Sequence, residues 1–231
     1  GSDIEIGIPH TYDLRTSHKL KYETVELPDD DINYNLYTYT FATFYDKRDE
    51  KMNPKKGVYH NFNIEHGFKL ASSSLDLTRI NVNLRKYIPT FKNQVIYLKS
   101  TLGYITSTEI NNENIFIDEY YVVGNSRTVR GYSENNPFAY GNKQVILTAE
   151  YRYIFSTSVT GYLFTDVGYA SKFRQADNTF EAKSVYDLSE YKLTKGIGIK
   201  FIIAPVGPIK LDFGITETGV SRLQFNMGYT F

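Results

Sequence analysis

The residues with the chemistry to react are few: four histidines, scattered serines, and acids and bases spaced at alternate positions. His60 and His66 lie close together, with Ser72 to Ser74 beyond them, and a serine beside a histidine is the raw material of a hydrolase. The local pattern argues against it. In "YHNFNIEH" His60 alternates in phase with Phe62 and Ile64, so it shares their apolar side. The histidines have no zinc-ligand spacing and there is no cysteine to join them. The sequence therefore predicts no enzyme, no metal site and no cofactor.

The acids are more informative. In Val145 to Tyr153 the positions Val145, Leu147, Ala149, Tyr151 and Tyr153 form one set, which leaves Glu150 and Arg152 on the other side. In Val159 to Tyr169 the second set is Thr160, Tyr162, Phe164, Asp166 and Gly168. Lys210 and Asp212 in "GPIKLDFGIT" face the same way as Asp166. A guanidinium placed between Glu150 and Asp166 would form charge-assisted, bidentate bonds. One is on offer in the loop "SRTVRGYSENN", where Val129, Arg130, Gly131 and Tyr132 stand together. The plain alternative is a solvated arginine in a surface loop.

The elements that would position these groups are strands. "RLQFNMGYTF" puts Leu223, Phe225, Met227, Tyr229 and Phe231 on one face and Arg222, Gln224, Asn226, Gly228 and Thr230 on the other. "GPIKLDFGIT", "LTKGIGIKFII" and "TRINVNLRKYI" repeat the two-residue period, and no segment shows a helical one. A soluble sandwich turns the apolar face inward. An outer-membrane barrel turns it to lipid around a polar lumen. Three features favour the barrel. The strands approach the roughly 9 to 11 residues needed to cross a bilayer at a tilt. Tyr104, Tyr151, Tyr153, Tyr169 and Tyr229 lie towards strand ends, as an interfacial girdle requires. The last residue, Phe231, is in phase with the apolar face.

The expected organisation is all-β: a transmembrane antiparallel barrel of about ten strands, within a range of eight to twelve. The strands are placed at 18–27, 32–46, 58–68, 77–88, 94–106, 143–155, 159–170, 192–204, 207–216 and 222–231, with a strand stub over residues 3–9. Connections alternate between long ("SKFRQADNTFEAKSVYDLSE") and short ("PTFKN", "STS", "PVG"), the habit of outer-membrane barrels. The turn "RDEKMNPKKG" is expected to keep its charges in water. Residues 1–231 read as one domain, with Gly1 and Ser2 as a cloning scar. With 26 basic and 26 acidic residues the formal charge is zero, which gives no case for nucleic acid. No apolar run is long enough for a membrane helix.

"VRGY", "AEYRYIF", "FTDVG", "GPIKLDFG" and a terminal aromatic strand follow one another in that order, with "YDKRDEKMNPKKG" upstream. Together they resemble the bacterial surface antigen, or Omp85-type, barrel shared by BamA, TamA and two-partner-secretion transporters. "IEIGIPHTYDLRTSHKLKY" is similar to the turn between two earlier strands of that barrel. The resemblance implies a bacterial outer-membrane location and a role in outer-membrane biogenesis, in the insertion or transport of proteins or lipids. The partners it implies are outer-membrane lipid and client membrane proteins. It implies that Arg130 folds from an outer loop into the lumen to meet Glu150 or Asp166, with Lys210 and Asp212 beside them, and that Phe231 serves as an assembly signal. The family's barrels carry POTRA domains, and no POTRA-like segment is visible here. The chain is then either a short, barrel-only member or part of a larger protein, and a homodimer would let two chains complete each other's edges. A passive small barrel, structural, adhesive or a narrow pore, is the competing reading.

Overall fold

The computed structural model describes residues 1–27, 32–71, 74–108, 119–174 and 180–228. Its strands are β1 (Ser2–Pro9), β2 (Leu14–Leu27), β3 (Ile32–Asp46), β4 (Gly57–Gly67), β5 (Leu77–Pro89), β6 (Gln94–Thr106), β7 (Tyr121–Val123), β8 (Ala139–Ile154), β9 (Val159–Arg174), β10 (Phe180–Ala182), β11 (Lys192–Ile203), β12 (Gly207–Thr216) and β13 (Ser221–Met227). All belong to one 13-stranded sheet. With β7 and β10 set aside as side pairings on β8 and β9, eleven strands form an antiparallel ladder in chain order. The expected stub is thus a full member: β1 pairs with β2 from Ser2↔Tyr22 to Pro9↔Arg15. Several strands also run longer than the periodicity suggested, β2 beginning at Leu14 and β8 at Ala139. Residues such as Arg15, Ser17 and Tyr140 belong to these ladders although the segments around them carry no clear alternation.

Burial decides between the two readings of the alternation. Along β8, Ile146, Thr148, Glu150, Arg152 and Ile154 are buried, while Leu147, Ala149, Tyr151 and Tyr153 are exposed. Leu163, Ile197, Leu223, Phe225 and Met227 are all more than half exposed on the same outer surface, whereas Thr160, Thr194, Asp166 and Asp212 are almost fully buried. A soluble sandwich would do the reverse. Large exposed apolar patches of this extent mark a surface meant for lipid or partners.

The sheet curls so that its polar face is concave. Asn53, in the turn between β3 and β4, reaches Thr160 on β9 and Lys200 on β11. The short turns 90–93, 155–158 and 204–206 lie at one end, and the ends of β6 and β9, which lead into the two long connections, lie at the other. At the long-loop end Tyr34, Leu36, Leu75, Leu77, Ile105 and Tyr120 fill the concavity as an apolar cluster. At the short-turn end Tyr87, Val95, Tyr97 and Ile154 form a second one. Among the described residues β1 pairs only with β2 and β13 only with β12, so the ladder is open between them.

The tyrosine girdle needs one correction. Tyr104 lies towards the long-loop end, and Tyr151 and Tyr153 towards the short-turn end, each about two-fifths exposed on the outer face. Tyr169 is fully buried instead. The segment after β10 covers it: Tyr191 stacks on its ring at 5.1 Å and its hydroxyl donates to the Lys183 carbonyl at 2.5 Å. Tyr229 lies outside the described residues.

Candidate functional site: the loop clamped in the concave face

The connection between β6 and β8 folds back into the concavity, and polar side chains supply most of its footing. Asn125 opens the turn, its Oδ1 accepting from the Arg127 and Thr128 amides, each at 3.0 Å. This is the local competition with the backbone that asparagine makes in turns. Val129 is then buried in a cluster with Val123 and Ile146. A Cβ at Gly168 would stand 2.2 Å from the Val129 side chain, so the wall is bare where valine enters.

Arg130 is 7% exposed and engages three carboxylates. Its Nε and Nη2 donate to the two oxygens of Asp166 at 2.7 and 2.8 Å, a bidentate fork. Its backbone amide adds a third bond to Asp166 at 3.1 Å. Nη1 donates to Glu150 at 2.9 Å and to Asp212 at 3.2 Å. The guanidinium also lies 3.6 Å from the centre of the Phe164 ring, a cation–π contact in a desolvated place. β8, β9 and β12 therefore each contribute one acid at an inward position, which is why alternation in the sequence found them. Glu150 is held in turn by Arg152 Nε at 2.8 Å, and Arg152 rests on the Tyr97 ring at 3.8 Å. Asp212 also accepts from the Tyr162 hydroxyl at 2.9 Å.

Gly131 follows with φ at +93°, a conformation that an L side chain rarely adopts. It lies against β12 at Gly214, where an added Cβ would come within 2.8 Å of the Gly131 nitrogen. The Gly131 amide donates to Gln224 Oε1 at 2.7 Å, and Gln224 Nε2 donates back to the Tyr132 carbonyl at 2.8 Å. Tyr132 packs on Phe138 with ring centres 4.6 Å apart. Ser126 and Asn226 exchange two further bonds, at 2.9 and 3.3 Å. The loop is thus pinned to β8, β9, β12 and β13 together.

Of the residues singled out in the sequence, Val129, Arg130, Gly131, Tyr132, Glu150, Asp166 and Asp212 meet in this one assembly. Lys210 lines the cavity beside Arg130 and Glu150 but gives Arg130 no bond, as two cations cannot. Phe231 lies outside the described residues. Sequence reasoning missed Gln224, Asn226, Phe164 and Gly214 as holders of the loop. The first two were visible as inward polar positions on the last strand; nothing local marked Gly214, whose role is set by a segment far away in the chain. His60 and His66 lie on β4, and among the described residues His66 Nδ1 is 2.9 Å from Thr78 Oγ1 and His60 sits by the Tyr45 ring. Ser72 and Ser73 lie outside the described residues, while Ser74 Oγ accepts the Ala71 amide at 2.9 Å.

The turn 47–56 departs from expectation at its apex. Glu50, Lys51, Lys55 and Lys56 are exposed, as solvated charges should be, but Asn53 and Pro54 are buried. Asn53 Oδ1 accepts from Thr160 Oγ1 at 3.1 Å and from Lys200 Nζ at 2.8 Å, and the Met52 carbonyl accepts from the same lysine at 3.3 Å. Asp49 shapes the turn by accepting the Glu50, Lys55 and Lys56 amides on one oxygen. The concavity is therefore entered from both ends, by Arg130 from the long loops and by Asn53 from the short turns.

A match to the Omp85 superfamily domain extends over residues 2–231. Among solved structures, BamA from Haemophilus ducreyi lacking POTRA domains 1–3 superposes with a TM-score of 0.70 at 16% identity. The match covers 96% of this chain and 52% of that one, so the chain spans about half the length of the solved relative. The curled ladder, the outward apolar face, the inserted arginine loop and this family match agree: the chain belongs to the Omp85 superfamily, whose barrels assemble or translocate proteins at the outer membrane.

Proposed function

We propose that this chain acts in outer-membrane biogenesis, helping to insert or move membrane proteins or lipids, rather than serving as a passive pore. The observation that carries the reading is the clamp on Arg130. A single cation binds Glu150, Asp166 and Asp212 from three strands, so the state of the loop is coupled to the arrangement of the wall. A passive diffusion channel has no need of a filled interior. The apolar outer face supports residence in the bacterial outer membrane, with lipid as its constant partner. The open β1 and β13 edges give the reading its client surface. Among the described residues each presents backbone groups without a ladder partner, which in lipid must find a strand to pair with. That strand can come from a client, a second copy in a homodimer, or the other edge of the same chain. Phe231, in phase with the apolar face, is proposed as the signal by which the chain itself is assembled. No catalytic group takes part. Depleting the protein in its host and comparing outer-membrane protein and lipid composition tests the proposal. A biogenesis role gives broad changes; an unchanged membrane favours the passive barrel.

A further inference from the structure

The concave wall carries a charge arrangement that the Arg130 clamp does not use. Arg85 on β5 and Lys99 on β6 are direct cross-strand partners, and both point inward. Like charges placed directly opposite destabilise a sheet. On β11 and β12 the inward pair Lys200↔Lys210 repeats the feature. Around the clamp, Arg85, Lys99, Arg130, Arg152, Lys200 and Lys210 face the carboxylates of Glu150, Asp166 and Asp212, so cations outnumber anions by two to one. The three acids are already taken up by Arg130 and Arg152.

The excess falls at Arg85 and Lys99. Arg85 is only 8% exposed; its Nε donates to Asn83 at 2.8 Å and its guanidinium lies 5.0 Å from the centre of the Tyr59 ring, but its Nη2 is buried with no hydrogen-bond partner among the described residues. A buried guanidinium N–H left unpaired loses its bonds to water and gains none in return. Lys99 makes no hydrogen bond or ion pair among the described residues; the cations Arg85, Lys210 and Arg130 act on it against the one carboxylate of Asp166. Lys99 is half-buried and lines the same cavity as Arg127, Arg130 and Lys210, so its side of the pair opens on the interior, with Arg85 directly across the strand behind it.

We propose that the interior beside Arg85 and Lys99 binds a phosphate-type dianion. A guanidinium edge next to an ammonium is the pairing that recognises such a group, one by directed N–H bonds and the other as a point charge. A bound dianion would satisfy Nη2 and turn the repulsion between the two cations into shared attraction. Inorganic phosphate and the phosphate of a lipid headgroup present the same chemistry. The site rests on inward parity and on the unpaired groups, independently of the biogenesis role.

The test uses the whole chain in detergent, with thermal unfolding and titration calorimetry at constant ionic strength, chloride being the reference. The probes are inorganic phosphate and a soluble short-chain phosphatidic acid. Phosphate raises the unfolding midpoint of the wild type, and in Arg85→Gln and Lys99→Met the dissociation constant rises tenfold or more. Lys195→Gln, on the outer face, leaves binding unchanged. Lys99→Met also unfolds at a higher temperature than wild type in chloride, because the like-charge pair is gone, and this shows that the variant is folded. A response to phosphatidic acid alone, lost in the same two variants, assigns the site to a headgroup. No response of the wild type to either probe, or a response that survives in both variants, overturns the proposal.

Discussion

Arg130 ties its loop to acids on three strands, and its environment fixes what its loss should do. Truncating one partner of a buried, hydrogen-bonded ion pair costs about 3 to 5 kcal/mol where water is excluded. Water in the interior would reduce this to roughly 1 to 3 kcal/mol. Arg130→Ala and Asp166→Ala should each release the loop, and the double variant should be little worse than either single one, because both remove the same bonds. Limited proteolysis within 125–136 and a double-mutant cycle on unfolding check this; strictly additive effects would contradict it. Gly214→Ala makes a sharper claim. Its Cβ would crowd the Gly131 backbone at 2.8 Å without touching a charge. It should loosen the loop about as much as Arg130→Ala while leaving the ion cluster's residues intact, as the same proteolysis would show. Glu150, Asp166 and Asp212 could be assigned inward positions from the sequence because strand side chains alternate without exception over these segments. Gly214 could not be assigned a role, since a glycine's neighbours across a fold leave no trace at its own position.

At the scale of elements the ladder was legible where two faces differ in polarity and illegible where they do not. β11 and β12 read directly from their periods, as did β8 from Lys143 onward, while β13 ends at Met227, short of the expected 222–231. The start of β2 did not, because in "LRTSHKL" Thr16 and His18 interrupt the apolar set that begins at Leu14, so the two faces hardly differ in polarity. The loop-and-turn plugs were harder still. The segment 47–56 looks like a solvated turn because six of its charged residues are exposed; its neutral apex, Asn53 and Pro54, goes inward. Its attachment is weaker in kind than that of Arg130. Lys200 meets an amide and a carbonyl oxygen here, not a carboxylate. Lys200→Met should therefore free the turn at modest cost, about 1 to 2 kcal/mol, and leave the Arg130 loop in place. Hydrogen exchange separates the two: protection should fall over residues 49–56 and stay unchanged over 125–132. Loss of protection in both segments would mean that the plugs are coupled.

The whole molecule is an inverted object, polar within and apolar without, and that follows from burial rather than from composition. Equal numbers of acids and bases and a modest apolar content describe many soluble proteins equally well. The odd ladder adds a constraint. β1 and β13 are the first and last of eleven strands that alternate in direction, so they run the same way. Direct pairing of the two would make a parallel seam in an otherwise antiparallel wall, a less stable pairing per residue. The seam should then be the part of the sheet that exchanges first. Cysteines introduced at Ile6 and Phe225 in this cysteine-free chain report on it: cross-links at one-chain mass show self-closure, and cross-links at two-chain mass show a partner copy. The central claim is that such a wall, with its clamped loop, promotes insertion of other membrane proteins. Lipid vesicles containing the purified chain should speed the folding of an unfolded outer-membrane barrel several-fold over empty vesicles, and Arg130→Ala vesicles should lose most of that gain. The same folding rate in wild-type and empty vesicles would contradict the claim.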